Sequence, residues 1–146
     1  MSDQVLTFEN SLESLKNAYE TLNEESLSIL LDLYANNARF KDPFQEVYGR
    51  EKISHVFLKM FEQLSDPHFV IKNIISKQPS AVFLWEFHFK LKRWNKDPIS
   101  FSGVSWLEFN SANLVVSHQD FWDPSEGIYE HLPIIGPLMR GLKKLA

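Results

Sequence analysis

Through the first 64 residues, apolar side chains recur at three- and four-residue steps. Phe8, Leu12, Leu15, Tyr19 and Leu22 share one face, and Glu9, Glu13, Lys16 and Glu20 share the other, which predicts an amphipathic helix. Asn23-Glu24-Glu25 ends it. Leu27, Leu30, Leu31 and Tyr34 predict a second helix from about Ser26 to Tyr34, closed by Asn36-Asn37. Ala38 to Lys41 reads as a short strand stopped by Asp42-Pro43. After Gly49, the positions of Ile53, Phe57, Met60, Phe61 and Leu64 predict a third helix over Glu51 to Leu64.

Beyond Ser65-Asp66-Pro67 the period shortens to two. His68 to Lys77, Ala81 to Arg93, Ile99 to Phe109 and Leu114 to Trp122 are rich in β-branched and aromatic residues and predict four strands. Turn-forming residues separate them at Gln78-Pro79-Ser80, Asn95-Lys96-Asp97-Pro98 and Asn110-Ser111-Ala112-Asn113, and such short connections imply antiparallel neighbours. Helices first and then a strand meander is an α+β order, and a sheet curled around helices can enclose a pocket. From Ser125 the tail holds an acidic-aromatic stretch, Leu132-Pro133-Ile134-Ile135-Gly136-Pro137, and a basic helix over 138–145 that reads as a lid or dimer element.

The last strand breaks its own pattern. His118, Asp120 and Trp122 fall on one face with Val116, so an imidazole and a carboxylate enter where an apolar face is expected. Residues two apart on a strand point the same way, roughly 7 Å apart at Cα. An imidazole beside a carboxylate exchanges protons near neutral pH, as general acid–base catalysis requires. The competing reading is an edge strand with a solvated face, which Trp122 and Val116 argue against. A metal site using His118 and Asp120 with His88 or Asp42 lacks a further ligand pair, so no metal is expected.

Composition narrows the classes. Apolar residues make up 44% of the 146 and aromatics 14%, a folded, aromatic-rich chain best read as a single domain over 1–146. A net charge of −4 argues against nucleic acid as a partner. No apolar run is long enough for stable membrane insertion. Zero cysteines removes disulfides, thiolate nucleophiles and cysteine-based metal sites. Met1-Ser2-Asp3-Gln4 has neither the basic start nor the apolar stretch of a signal peptide, so a cytoplasmic protein is expected.

Three stretches carry a resemblance. Tyr34-Ala35-Asn36-Asn37-Ala38-Arg39-Phe40-Lys41-Asp42-Pro43, Gly49-Arg50-Glu51-Lys52-Ile53 and Ser117-His118-Gln119-Asp120-Phe121-Trp122-Asp123, in this order of elements, resemble the nuclear-transport-factor-2-like superfamily. That grouping includes the ketosteroid isomerases and the SnoaL-like polyketide cyclase relatives. The resemblance implies a cone-shaped fold, with three N-terminal helices packed in a curved antiparallel sheet. Asp42 falls where ketosteroid isomerases place their catalytic base. The two oxyanion donors of that family would fall at Ala18 and Ser105, with Tyr19 one residue and so about 100° away around the helix, so that particular route is not carried over. His118 and Asp120 are similar to the SnoaL-like pattern, in which an ionisable pair on the last strand faces the cone.

The expectation is a small-molecule pocket protein acting, if an enzyme, as a cofactor-independent isomerase, cyclase or hydrolase on a small hydrophobic or polyketide-like ligand. Asp120, Asp42 and His118 are the catalytic candidates. Trp122, Ser105, Tyr34, Tyr19, Phe44 and His88 are the substrate-binding candidates. For His88 the signals oppose each other, because alternation buries Phe83, Trp85, Phe87 and Phe89 whereas the resemblance turns Glu86 and His88 inward. Ser105 facing inward puts Trp106 on the convex side, where large apolar residues mark a partner surface and suggest a homodimer. The alternative is a non-catalytic ligand-binding or dimerisation module of the same fold.

Overall fold

The computed structural model describes residues 7–92 and 98–124, so the tail elements expected after Ser125 lie outside the described residues. Thr7 opens α1 (Phe8–Glu20), its hydroxyl accepting the Asn10 N–H at 3.1 Å. Asn23 and Ser26 then bond reciprocally, Asn23 N–H to Ser26 Oγ at 2.9 Å and Ser26 N–H to Asn23 Oδ1 at 2.8 Å, turning the chain into α2 (Leu27–Leu31).

Here the helical spacing through Tyr34 misleads. Tyr34 opens β1 (Tyr34–Lys41) and does not close α2. Val115 N–H donates to Leu33 O at 2.9 Å, and Tyr34 pairs with Val115 of β6 (Val115–Phe121), so a distant strand captures residues that local periodicity assigns to a helix. The chain then reverses into β2 (Glu46–Tyr48), a short strand without a sequence signal of its own. Gly49 follows with φ +95, a backbone conformation that L side chains rarely adopt, and donates its N–H to Ala38 O at 2.8 Å. It starts α3 (Arg50–Gln63).

Leu64 turns directly into β3 (Leu64–Lys77), four residues ahead of the expected start. β4 (Ser80–Leu91) and β5 (Ile99–Phe109) complete a six-stranded sheet in the order β2-β1-β6-β5-β4-β3. The expected all-antiparallel sheet needs one correction: β1 and β6 run parallel, while the other neighbours are antiparallel. Parallel pairing is available because α3 and four strands separate the two elements, which gives the chain room to cross over.

Register shifts bend the sheet. β3 shifts against β4 between Ser65 and His68 and again between Ile71 and Asn73. Near the second shift Ile71 N–H donates to Glu20 Oε2 at 3.0 Å, tying α1 to the strand. On β6, Val115 pairs with Phe109 and Ser117 with Glu108, so Val116 is skipped. Val115 is therefore the buried neighbour of His118, in place of Val116 as simple alternation had it. The concave face receives Leu15 and Tyr19 of α1 and Ile53, Phe57 and Phe61 of α3, all buried against Phe83, Trp85, Phe87 and Phe89. Among the described residues no helix is long and apolar enough to cross a membrane.

Trp85 and Gly103 face each other across β4 and β5, and a Cβ on Gly103 would lie 2.3 Å from the indole. The glycine exists to let the ring lie flat on the strand. Gly103→Ala is expected to cost about 1–3 kcal/mol by overpacking and to move Trp85. Chemical denaturation followed by tryptophan fluorescence checks both, and an unchanged midpoint would refute the assignment.

Candidate functional site

A cavity of about 840 Å³ lies between α3, the β1–β2 turn and the concave faces of β4, β5 and β6. Its lining is dominated by rings, among them Phe40, Phe57, Phe69, Phe101 and Trp122. Trp122 stacks on Phe101 with centroids 4.6 Å apart and meets Phe44 edge-on at 5.3 Å. Of the four carboxylates in its lining, Asp42 and Asp120 are partly buried, whereas Glu46 and Glu62 are exposed.

Asp120 is held from behind. Ser105 on β5 is its cross-strand partner, and the Ser105 hydroxyl donates to Asp120 Oδ1 at 2.5 Å. Trp85 Nε1–H donates to Ser105 Oγ at 2.9 Å. His118 Nε2 lies 2.6 Å from the same Oδ1. The imidazole is 2% exposed, packed between Phe40 and Tyr34, with Tyr34 nearly parallel to it. Its Nδ1 meets the Tyr34 hydroxyl at 2.6 Å and the Tyr19 hydroxyl at 3.2 Å, and the two phenols bond to each other.

The protons in this chain can be assigned by counting donors. Burial raises both phenols above their ordinary range, with the Asp120 charge adding to the effect, so both carry a proton at neutral pH. Tyr19 O–H donates to Tyr34, Tyr34 O–H donates to His118 Nδ1, and His118 Nε2–H donates to Asp120. In this order every donor of the chain has an acceptor. An imidazolium would reverse the phenol chain and leave the Tyr19 proton without an acceptor in it. Among the described residues both bonds to Asp120 fall on Oδ1.

Asp42 is employed differently. Its Oδ1 accepts the Phe44 and Gln45 backbone N–H groups at 2.8 and 3.0 Å, and its Oδ2 accepts Gln45 Nε2 at 3.1 Å. This is a turn-closing carboxylate at the cavity wall. Burial pushes its carboxyl above the ordinary value, the Gln45 and Phe44 bonds pull it down, and the Asp120 charge pushes it up again.

Of the residues singled out in the sequence, Asp42, Phe44, Asp120 and Trp122 line the cavity. His118, Ser105, Tyr34 and Tyr19 form the layer behind Asp120, where they hold the carboxylate and have no place in the lining. His88 requires a correction. It stands with Glu86 on the outer face, 3.4 Å from that carboxylate, and its ring stacks on His68 at 5.0 Å. Strand alternation prevails over the resemblance there, because the four aromatic residues of β4 have more surface to bury. Two participants had escaped notice. Trp85 donates into the network, and the glycine opposite it was the available signal. Arg50 donates through Nε and Nη2 to Tyr34 O and so fixes the start of β1. Among the described residues no cluster of three or more His, Asp or Glu is placed to hold a metal ion.

The SnoaL-like domain family matches residues 15–118. Among solved structures, a nuclear-transport-factor-2-like protein from Burkholderia thailandensis superposes with a TM-score of 0.75 at 10% identity, covering 87% of this chain and 98% of that one. A second such protein, of unknown function, from Burkholderia pseudomallei gives 0.72 at 15% identity, with coverages of 82% and 95%. A protein proposed to be a polyketide cyclase from Xanthomonas campestris gives 0.70 at 9% identity, with coverages of 84% and 94%. At these identities the likeness establishes the cone fold alone. No functionally curated protein matches the sequence significantly.

The raised Asp42 carboxyl makes stability depend on pH in a definite sense. The folded state keeps its proton over a range where the unfolded chain has lost it, so this group's contribution falls as pH rises above about 3.9 through the folded value. Asp42→Asn keeps the Oδ1 acceptor and does not titrate. Relative to wild type, the mutant is expected to gain stability between pH 4 and pH 7 in urea denaturation. A difference independent of pH would refute the account.

Proposed function

The chain belongs to the SnoaL-like domain family, and from that premise we propose that it is an acid–base enzyme acting on a small hydrophobic or polyketide-like substrate. The observation that carries this reading is a carboxyl group, Asp120, anchored by two partners on one oxygen while its residue lines an aromatic cavity. Asp120 Oδ2 takes a proton from an acidic C–H or O–H of the bound molecule. It becomes a carboxylic acid and returns the proton at a second position, which amounts to an isomerisation or assists a cyclisation. His118 supports the cycle through its Nε2–H, and the phenols behind it hold its Nδ1 as an acceptor. The rings exclude water, which strengthens the charge interactions during transfer.

Proton abstraction is measurable without the natural substrate. Bicyclic ketones such as 2-tetralone, incubated with the protein in D₂O, are expected to exchange α-protons well above the buffer rate. Asp120→Asn should lower the exchange by about 100-fold or more, the range general bases supply, while binding persists. Retained binding with exchange at the buffer rate in wild type would favour the non-catalytic reading.

The convex side supports a second element of function, association of two copies. Ile75, Val82 and Trp106 form one cross-strand row, and Leu84, Val104 and Phe121 form the next. Ile75 is 59% exposed, Phe121 48% and Trp106 47%. Uncovered apolar residues on neighbouring strands fit a second copy of the same face. Light scattering is expected to give twice the chain mass for wild type and the single mass for Trp106→Glu. A monomeric wild type at 100 µM or so, well above ordinary dimer Kd values, would end the idea.

A further inference from the structure

We propose that the cavity takes an organic cation, a molecule with a positively charged nitrogen on an apolar or aromatic body, with the nitrogen lying against Asp120. The proposal deepens the acid–base reading and rests on it only in treating the cavity as a ligand site. Three independent features of the cavity point the same way.

The first is the sign of the ionisable groups. Asp120 and Asp42 are the charges set into the aromatic part of the lining, whereas Lys52 and Lys59 stand on the exposed side of α3. Lys59 is also 3.7 Å from Glu62. The second is the make-up of the support: the groups bonded behind Asp120 are a serine hydroxyl, an imidazole and, through it, two phenols, with no lysine or arginine among those bonded groups.

The third is the wall itself. Phe40, Phe57, Phe69, Trp85, Phe101 and Trp122 surround the space, and an aromatic face is the negative end of its quadrupole. A neutral ligand filling this volume strips water from the free oxygen of Asp120 and leaves a buried anion without a counter-charge. A cation turns the same desolvation into attraction, both to the carboxylate and to the rings. The site therefore discriminates by charge at equal size.

A pair of isosteres tests this directly. Benzyltrimethylammonium and neopentylbenzene differ by one nitrogen in place of carbon and hence by one charge. Titration of the full chain, followed by calorimetry or tryptophan fluorescence, is expected to show the cation binding at least about tenfold tighter, and Asp120→Asn is expected to erase that preference. If Asp120→Asn does not fold, Trp122→Leu serves in its place and should weaken the cation more than the isostere. Equal or tighter binding of neopentylbenzene to wild type overturns the proposal and leaves the hydrophobic-substrate reading standing. Failure of both probes to bind overturns it too, and ketone exchange then judges the acid–base reading separately.

Discussion

Two donors on a single oxygen of Asp120 are the constraint around which the rest is arranged. A carboxylate at the floor of an aromatic cavity is unstable unless its charge is met by oriented hydrogen bonds. Ser105 and His118 provide them at 2.5 and 2.6 Å, and each is itself committed elsewhere, Ser105 to the Trp85 indole and His118 to Tyr34. Among the described residues each member of the network is thus tied to another, and both ties on Asp120 use the same oxygen. In a low-dielectric interior such a chain is strong while complete and costly when one member is missing. The side chains concerned come from α1, β1, β4, β5 and β6, so the network can exist only when helix, central strands and the crossover have all docked.

That requirement accounts for irregularities that are otherwise local curiosities. The skipped residue at Val116 restores phase between the buried Val115 and the buried His118, which strict alternation would put on opposite faces. The parallel junction of β1 and β6 sets Phe40 beside His118 and brings Tyr34 to its Nδ1. β1 has an irregular register between Tyr34 and Arg39, and Arg50 takes the Tyr34 carbonyl with two donors there. A charged fork on a backbone oxygen is a firm anchor. The motif Gly49-Arg50 thus performs two backbone tasks, starting α3 with a left-handed turn and steadying the strand that carries Tyr34.

Much of this was legible beforehand, for reasons that can be stated residue by residue. α1, α3, β4 and β5 follow from periodicity because each buries one uninterrupted apolar face. The polar entry of His118 and Asp120 pointed to a cavity wall, and Asp120 does line it, whereas His118 is buried in the layer behind, where the Tyr34 and Tyr19 hydroxyls and Asp120 supply its partners. What failed was non-local. Tyr34 sits at helical spacing from Leu27, Leu30 and Leu31, yet pairing with Val115 draws it into a strand. Tyr19 was displaced from the position at which a related family places its phenol, yet its hydroxyl reaches His118 from its own position on α1. One-residue offsets in a helix are absorbed when the partner also moves, and sequence spacing alone does not reveal the partner.

The two carboxylates show how identical side chains come to differ in use. Asp42 closes a turn, and Gln45 and the backbone at Phe44 and Gln45 occupy both its oxygens. Both its oxygens are committed to the β1–β2 connection, so catalysis and folding would compete at one site. Asp120 carries both its bonds to the fold on Oδ1, so under the proposed acid–base reading the two demands would fall on different oxygens. A base must change protonation state without unfastening its support. By that criterion the proposed proton transfer falls to Asp120 and not to Asp42, whose bonds shape the cavity wall.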